Sequence, residues 1–194
     1  MKILLSLILS LSTYLYGYAI LPTQFHFRHY NIENGISSNN ISSILQDQKG
    51  FIWIGTDNGL SRFDGNQFTF YQKSNPLYSN LHANSINTIC ETNTNELWIG
   101  TENGVYIYNQ IQDTFTQFTK TTSNNIKICS WINYIIQDKE KNIWIATRKQ
   151  GVFQYNTQTS KLIQYEIPEN GNIIIRLLND EQNNIWASGP YQLC

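Results

Sequence analysis

The residues most able to do chemistry are few and poorly spaced for it. Three histidines occur, His26, His29 and His82. His26 and His29 stand three apart, which on a strand sends their rings to opposite faces and away from a shared metal ion. His82 lies in a polar stretch where solvation is expected, and none of the three has the helical surroundings of a phospho-accepting kinase histidine. Acidic residues come one or two to a turn, as at Asp47, Asp138 and Asp180, where their side chains help the backbone reverse. No spacing sets a nucleophile beside a base. The pattern predicts no catalytic residue, no metal and no cofactor, and leaves binding. An aromatic ring at a rim is a platform for the apolar face of a sugar. Trp131, Tyr78 and Tyr191 are the candidates, with plain packing as the alternative use of each ring.

Such rings need a frame to hold them, and the composition allows one. The chain has 194 residues, 41% of them hydrophobic and 13% aromatic, ample for a real core. Charged residues are 14% with a net charge of −1, so no basic face is available for a phosphate backbone and nucleic acid is excluded as a partner. The polar surface comes from Asn, Gln, Ser and Thr, which suits neutral ligands or protein partners. At the amino terminus, Met1-Lys2 precedes an apolar run from Ile3 to Tyr16 and the small residues of Gly17-Tyr18-Ala19. That run is short of the ~20 residues that span a bilayer, and reads as a signal peptide over residues 1–19, cleaved after Ala19. The mature chain is therefore expected in the periplasm or otherwise outside the cytoplasm. Cys90, Cys129 and Cys194 are odd in number and lack a C-x-x-C pair. Buried thiols are expected, with a Cys90–Cys129 bridge as the alternative.

The frame itself is a repeat. Trp53, Trp98, Trp144 and Trp186 stand 45, 46 and 42 residues apart. Nine residues before each comes an aliphatic, Ile44, Ile89, Ile135 or Leu177, and a polar turn separates the two. Ile-Gly-Thr follows Trp53 and Trp98, Ile-Ala-Thr follows Trp144, and Ala187-Ser188-Gly189 follows Trp186. Gly59, Gly104 and Gly151 then open the next strand; Asn58-Gly59 and Asn103-Gly104 supply the step that a tight hairpin with positive φ prefers. The third turn, Arg148-Lys149-Gln150-Gly151, is one residue longer and predicts a different rim. One unit reads as four short strands, Ile41 to Gln46, Phe51 to Thr56, Gly59 to Asp64 and Gln67 to Gln72, with period-two patterning throughout. Four-stranded units of this length are β-propeller blades, and one indole per blade fills the wedge between neighbours.

The predicted organisation is all-β. Residues 20–30 form a strand that completes a last blade, residues 31–75, 76–121 and 122–167 form three blades, and residues 168–194 form part of a fourth, whose second strand is cut short by Pro190. About three and a half blades do not close a ring, so the chain is expected to be a piece of a longer protein or a truncated product. Asp47-x-x-Gly-x-x-Trp53 invites comparison with the Asp-box turns of sialidases, which leaves a secreted propeller glycosidase or lyase as an alternative. It is the weaker one, because only four arginines, Arg28, Arg62, Arg148 and Arg176, are present to form the cluster such enzymes need. A propeller that only scaffolds protein partners is a third reading.

The stretch FRHYNIENGISSNNISSILQDQKGFIWIGTDNGLSRFDGNQFTFY, with Ile-Trp-Ile-Gly-Thr-x-x-Gly-Leu and Arg62-Phe63-Asp64-Gly65 inside it, resembles the start of the periplasmic sensor region of bacterial hybrid two-component proteins. That region is built from two-component-regulator propeller repeats, and the resemblance runs over residues 24–190. It implies an extracytoplasmic reader that binds a ligand such as an oligosaccharide. It further implies remaining blades, a membrane helix and a histidine kinase elsewhere in a longer and typically dimeric protein, with gene expression as the output. On this reading the 194-residue chain is not itself an enzyme.

Overall fold

The computed structural model describes residues 25–73, 81–167, 171–190 and 193–194. Alternating side chains and closely spaced turns make each repeat an antiparallel meander. The first comprises β1 (Ile41–Gln46), β2 (Ile52–Thr56), β3 (Gly59–Phe63) and β4 (Phe68–Tyr71), paired in sequence order. The second repeats this with β5 (Ile86–Glu91), β6 (Leu97–Thr101), β7 (Gly104–Asn109) and β8 (Thr114–Gln117). The third does so with β9 (Ile132–Gln137), β10 (Ile143–Thr147), β11 (Val152–Asn156) and β12 (Lys161–Tyr165). A two-stranded sheet follows, β13 (Arg176–Asn179) with β14 (Ile185–Ser188). The first strand of each sheet touches the first strand of the next, β1 to β5 to β9 to β13, which is how propeller blades fan about an axis. Among the described residues the fan is incomplete.

Two expectations concern the ends of this array. Residues 25–30 are not a strand: their backbone joins no ladder, and Phe25 and Phe27 are 79% and 95% exposed. A completing strand needs the open edge of a last blade, and that blade is not among the described residues. Only Tyr30 docks, its ring 5.2 Å from Phe63 and 5.5 Å from Phe68. At the other end β14 stops at Ser188 before Pro190, as expected. Beyond it, however, Cys194 exchanges backbone hydrogen bonds of 2.9 and 2.8 Å with Ala187. Pairing therefore continues past the second strand of this repeat.

The core lies in the seams between sheets. Trp53 is 1% exposed and packs with Leu81, Ile86 and Leu97, and its ring lies 4.8 Å from that of Tyr108 in the next blade. Trp98 is equally buried, among Ile132, Ile143 and Phe153. Trp144 is only half-buried against Leu177 and Ala187, and Trp186 is 43% exposed. The gradient has a simple cause: strands three and four of the following blade supply Tyr108 and Phe115 over Trp53, and no such strands are described over Trp144 or Trp186.

The turns between second and third strands differ in detail from the primed hairpin that Asn-Gly suggests. Positive φ falls on Gly59 (117°), Gly104 (102°) and Gly151 (72°), not on the residue before, so the glycine supplies the positive-φ residue that each turn requires. Buried threonines hold the turns: Thr56 Oγ1 accepts from the Asn58 amide at 3.1 Å and donates to the Gly59 carbonyl at 2.9 Å. Thr101 and Thr147 do the same at Gly104 and Gly151.

Candidate functional site

Near the axis each blade carries the same irregularity. The register of the first strand skips one residue, between Ile41 and Ser43, between Ile86 and Thr88, and between Ile132 and Tyr134. The residues left out of the ladder are Ser42, Asn87 and Asn133, each eleven before its repeat tryptophan. A bulge re-aims its side chain, and here each donates to the backbone of the next blade. Ser42 Oγ reaches the carbonyls of Gly55, at 2.9 Å, and Ile86. Asn87 Nδ2 reaches the Ile132 carbonyl at 2.9 Å, and Asn133 Nδ2 reaches that of Ile174 at 2.6 Å. The corresponding fourth position is Ile175, which is 44% exposed.

These polar bulges form one wall of a groove of about 540 Å³. Trp131, Arg148 and Arg176 form another, with Ile173, Ile175 and Pro190 completing the lining. Trp131 directly precedes β9 and is half-buried. The Arg148 amide donates to its carbonyl at 2.9 Å, and the Arg148 guanidinium stands 5.6 Å over its ring. Arg176 stands 4.8 Å over the ring of Tyr134. An aromatic face, amide-bearing side chains and two guanidiniums thus meet in one opening, a set suited to a polar ligand with rings.

Of the three ring candidates, Trp131 lies in this groove, while Tyr78 and Tyr191 lie outside the described residues, as does the expected signal peptide over residues 1–19. Arg148 and Arg176 were not legible as a pair, because 28 residues and a change of blade separate them. The long third turn that carries Arg148 was the available signal. Asn87 and Asn133 could have been found from their shared offset to the repeat tryptophan.

The other residues with chemical potential are elsewhere and occupied. Asp47, 4% exposed, accepts from the amides of Lys49 and Phe51 at 3.0 and 2.9 Å and from Trp53 Nε1 at 2.8 Å. Asp138 and Asp180 hold Trp144 and Trp186 in the same way, at 2.7 and 2.9 Å. The indole and Asn184 hydrogen bonds hold the Asp180 carboxyl down to about 2. The Asp-box-like phrase is therefore a turn that anchors the wedge tryptophan. His82 is exposed in the loop before β5, and His26 and His29 are exposed on a segment that is not a strand, so the opposite-face argument does not apply to them. All three cysteines are free. Cys90 is half-buried, with its thiol pushed up to about 11 by burial, but Cys129 and Cys194 are exposed, against the expectation of buried thiols.

Comparison with known proteins agrees with this architecture. The family model of the two component regulator propeller matches residues 35–58, 80–103 and 127–149, each running from before a first strand to the turn after the second. The extracellular domain assigned to the hybrid two component system BT4673 of B. thetaiotaomicron is 25% identical with a TM-score of 0.68, over 77% of this chain and 22% of that one. The corresponding domain of BT3049 from the same organism is 22% identical with a TM-score of 0.71, over 84% and 24%. Histidine kinase P4 of Formosa agariphila is 37% identical over 54 residues, 28% of this chain and 4% of that protein. The chain thus spans about a quarter of the solved domains it matches. No helix among the described residues is long and apolar enough to cross a membrane. The chain accordingly carries three matches to the two component regulator propeller and is similar to the extracellular domains of hybrid two-component systems.

Proposed function

We propose that this chain is the amino-terminal, extracytoplasmic part of a hybrid two-component sensor and binds an oligosaccharide in the axial groove. The groove carries the reading: a half-buried indole, two bulge asparagines and two arginines converge there, while the repeat aspartates are engaged in turns. The similarity to extracellular two-component domains supports an input role in controlling a histidine kinase and gene expression. On this reading residues 1–19 export the chain and are removed after Ala19. Residues 20–30 pair with a last blade, and further blades and a kinase, in a dimer, belong to a longer protein.

The test is calorimetric titration of the exported protein, at its native length, with a panel of neutral and charged oligosaccharides. Saturable binding to one class is expected, weakened about tenfold in Trp131→Ala, the loss typical of a stacking contact. If no oligosaccharide binds, or Trp131→Ala binds like the parent, the reading fails.

A further inference from the structure

We infer that the groove selects an anionic saccharide, one bearing a carboxylate or a sulfate ester, over a neutral one; this deepens the proposed function and rests on it. The observation is the charge of the lining. Arg148 and Arg176 both face the groove, and among the described residues no Asp or Glu lines it. Among the described residues the single ion pair is Arg62 with Asp113, far off in the seam between the first two blades. Neither groove arginine hydrogen-bonds through its side chain to another described residue. Among the described residues these two cations are thus uncompensated, in a chain whose net charge is −1, so the positive charge is local to the groove.

The way the two arginines are held points to the same ligand. Each guanidinium lies over an aromatic ring, Arg148 over Trp131 and Arg176 over Tyr134. A cation drawn to a ring makes no hydrogen bond to it, so the N–H donors stay available for another partner. Those donors form a planar fork that matches carboxylate and sulfate oxygens and has no comparable match in a hydroxyl. The ring contact also restricts the side chain before binding, which lowers the ordering cost of recognition. Arg148 comes from the longer turn of the third repeat, and Arg176 takes the position after Ile175, so the repeat departs from its own pattern where the cations enter. Asn87 and Asn133, each with one amide hydrogen beyond its bond to the next blade, and Trp131 complete the lining that a sugar would meet.

The experiment compares three trisaccharides on the exported protein, one of uronic acids, one sulfated and one neutral, with inorganic sulfate as a fourth probe. At least one acidic sugar is expected to bind tenfold or more tightly than the neutral one, with an affinity that falls as salt is raised. Arg148→Gln and Arg176→Gln are each expected to cost about tenfold for that sugar, the loss of one charge-assisted contact, and to cost less for the neutral sugar, so that the preference for the acidic one shrinks. Both side chains are exposed, and an unchanged melting temperature excludes a folding defect. Preference between the uronate and the sulfate identifies the anion. Equal binding of neutral and acidic sugars, or indifference to both arginine variants, overturns the inference while the saccharide reading stands. Binding of inorganic sulfate as tightly as the sulfated sugar overturns it as well. Absence of binding by every sugar overturns both.

Discussion

At the scale of single residues, the repeat is held by a carboxylate and an indole six positions apart. Asp47 closes the turn between β1 and β2 with two backbone amides and, with its second oxygen, takes the N–H of Trp53. A buried indole that loses its acceptor keeps the full desolvation penalty of an unpaired donor. Asp47→Ala is therefore expected to lower stability by about 2–3 kcal/mol in urea unfolding. Asp47→Asn keeps an acceptor oxygen and should cost about half as much. Loss below 1 kcal/mol in the alanine variant would show that the clasp is incidental. The second repeat makes the point from within the chain: Thr92 replaces the aspartate, and Trp98 Nε1 turns instead to Glu96, at a longer 3.5 Å. Residue types alone showed these aspartates as turn formers and their tryptophans as wedges. That one holds the other was not legible, since the contact crosses a hairpin, yet the constant spacing of six in three repeats was the signal for it.

At the scale of elements, strands and turns were readable because their patterns are local, whereas the bulges were not. A bulge is a property of register between two strands, and Ser42, Asn87 and Asn133 look like ordinary polar strand residues until β1, β5 and β9 are paired with their neighbours. The same pairing explains the glycine two residues after the tryptophan. A Cβ on Gly100 would lie 2.5 Å from Thr88 Cγ2 and 2.6 Å from Ile132 Cγ2, too close for carbon atoms. Gly55 meets Ile86 Cγ2 at 2.8 Å in the same way. These glycines let the inner strands of successive blades approach, and that approach brings the bulge side chains within reach of the next blade's carbonyls. Gly100→Val is expected to push β9 away and to destabilise the chain by about 1–3 kcal/mol or more, the usual cost of overpacking. It should also break the Asn87 hydrogen bond to Ile132, so faster exchange of amides in β5 and β9 than in β1 is the specific readout. A uniform effect across the blades would argue against this account.

At the scale of the whole molecule, the repeat period made the propeller legible, while the axis was hidden because residues far apart in sequence compose it. The seams are also unequal, and pH exposes the difference. Between the first two blades, Tyr71 and Tyr108 both donate to Asp113 Oδ1, at 2.8 and 2.6 Å, and Arg62 Nη1 donates to the Tyr108 hydroxyl at 2.7 Å. Burial and then the hydrogen bond to Asp113 push the Tyr108 phenol up to about 12 and raise that of Tyr71 further. An unfolded tyrosine titrates near pH ~10, so the fold favours the protonated phenols. Their contribution is complete below about pH 10; it falls as the unfolded chain ionises first, and is lost as pH climbs through the folded value. Stability measured by urea unfolding should therefore be flat toward pH 9 and decline steeply from about pH 10 to 12. Phenolate absorbance of the two tyrosines should lag behind that of exposed ones. Tyr108→Phe removes one titrating group and should flatten the decline, while Tyr165→Phe, outside this seam, should leave it unchanged. An equal decline in all three proteins would mean that alkaline loss begins elsewhere, and that this network does not fasten the first two blades.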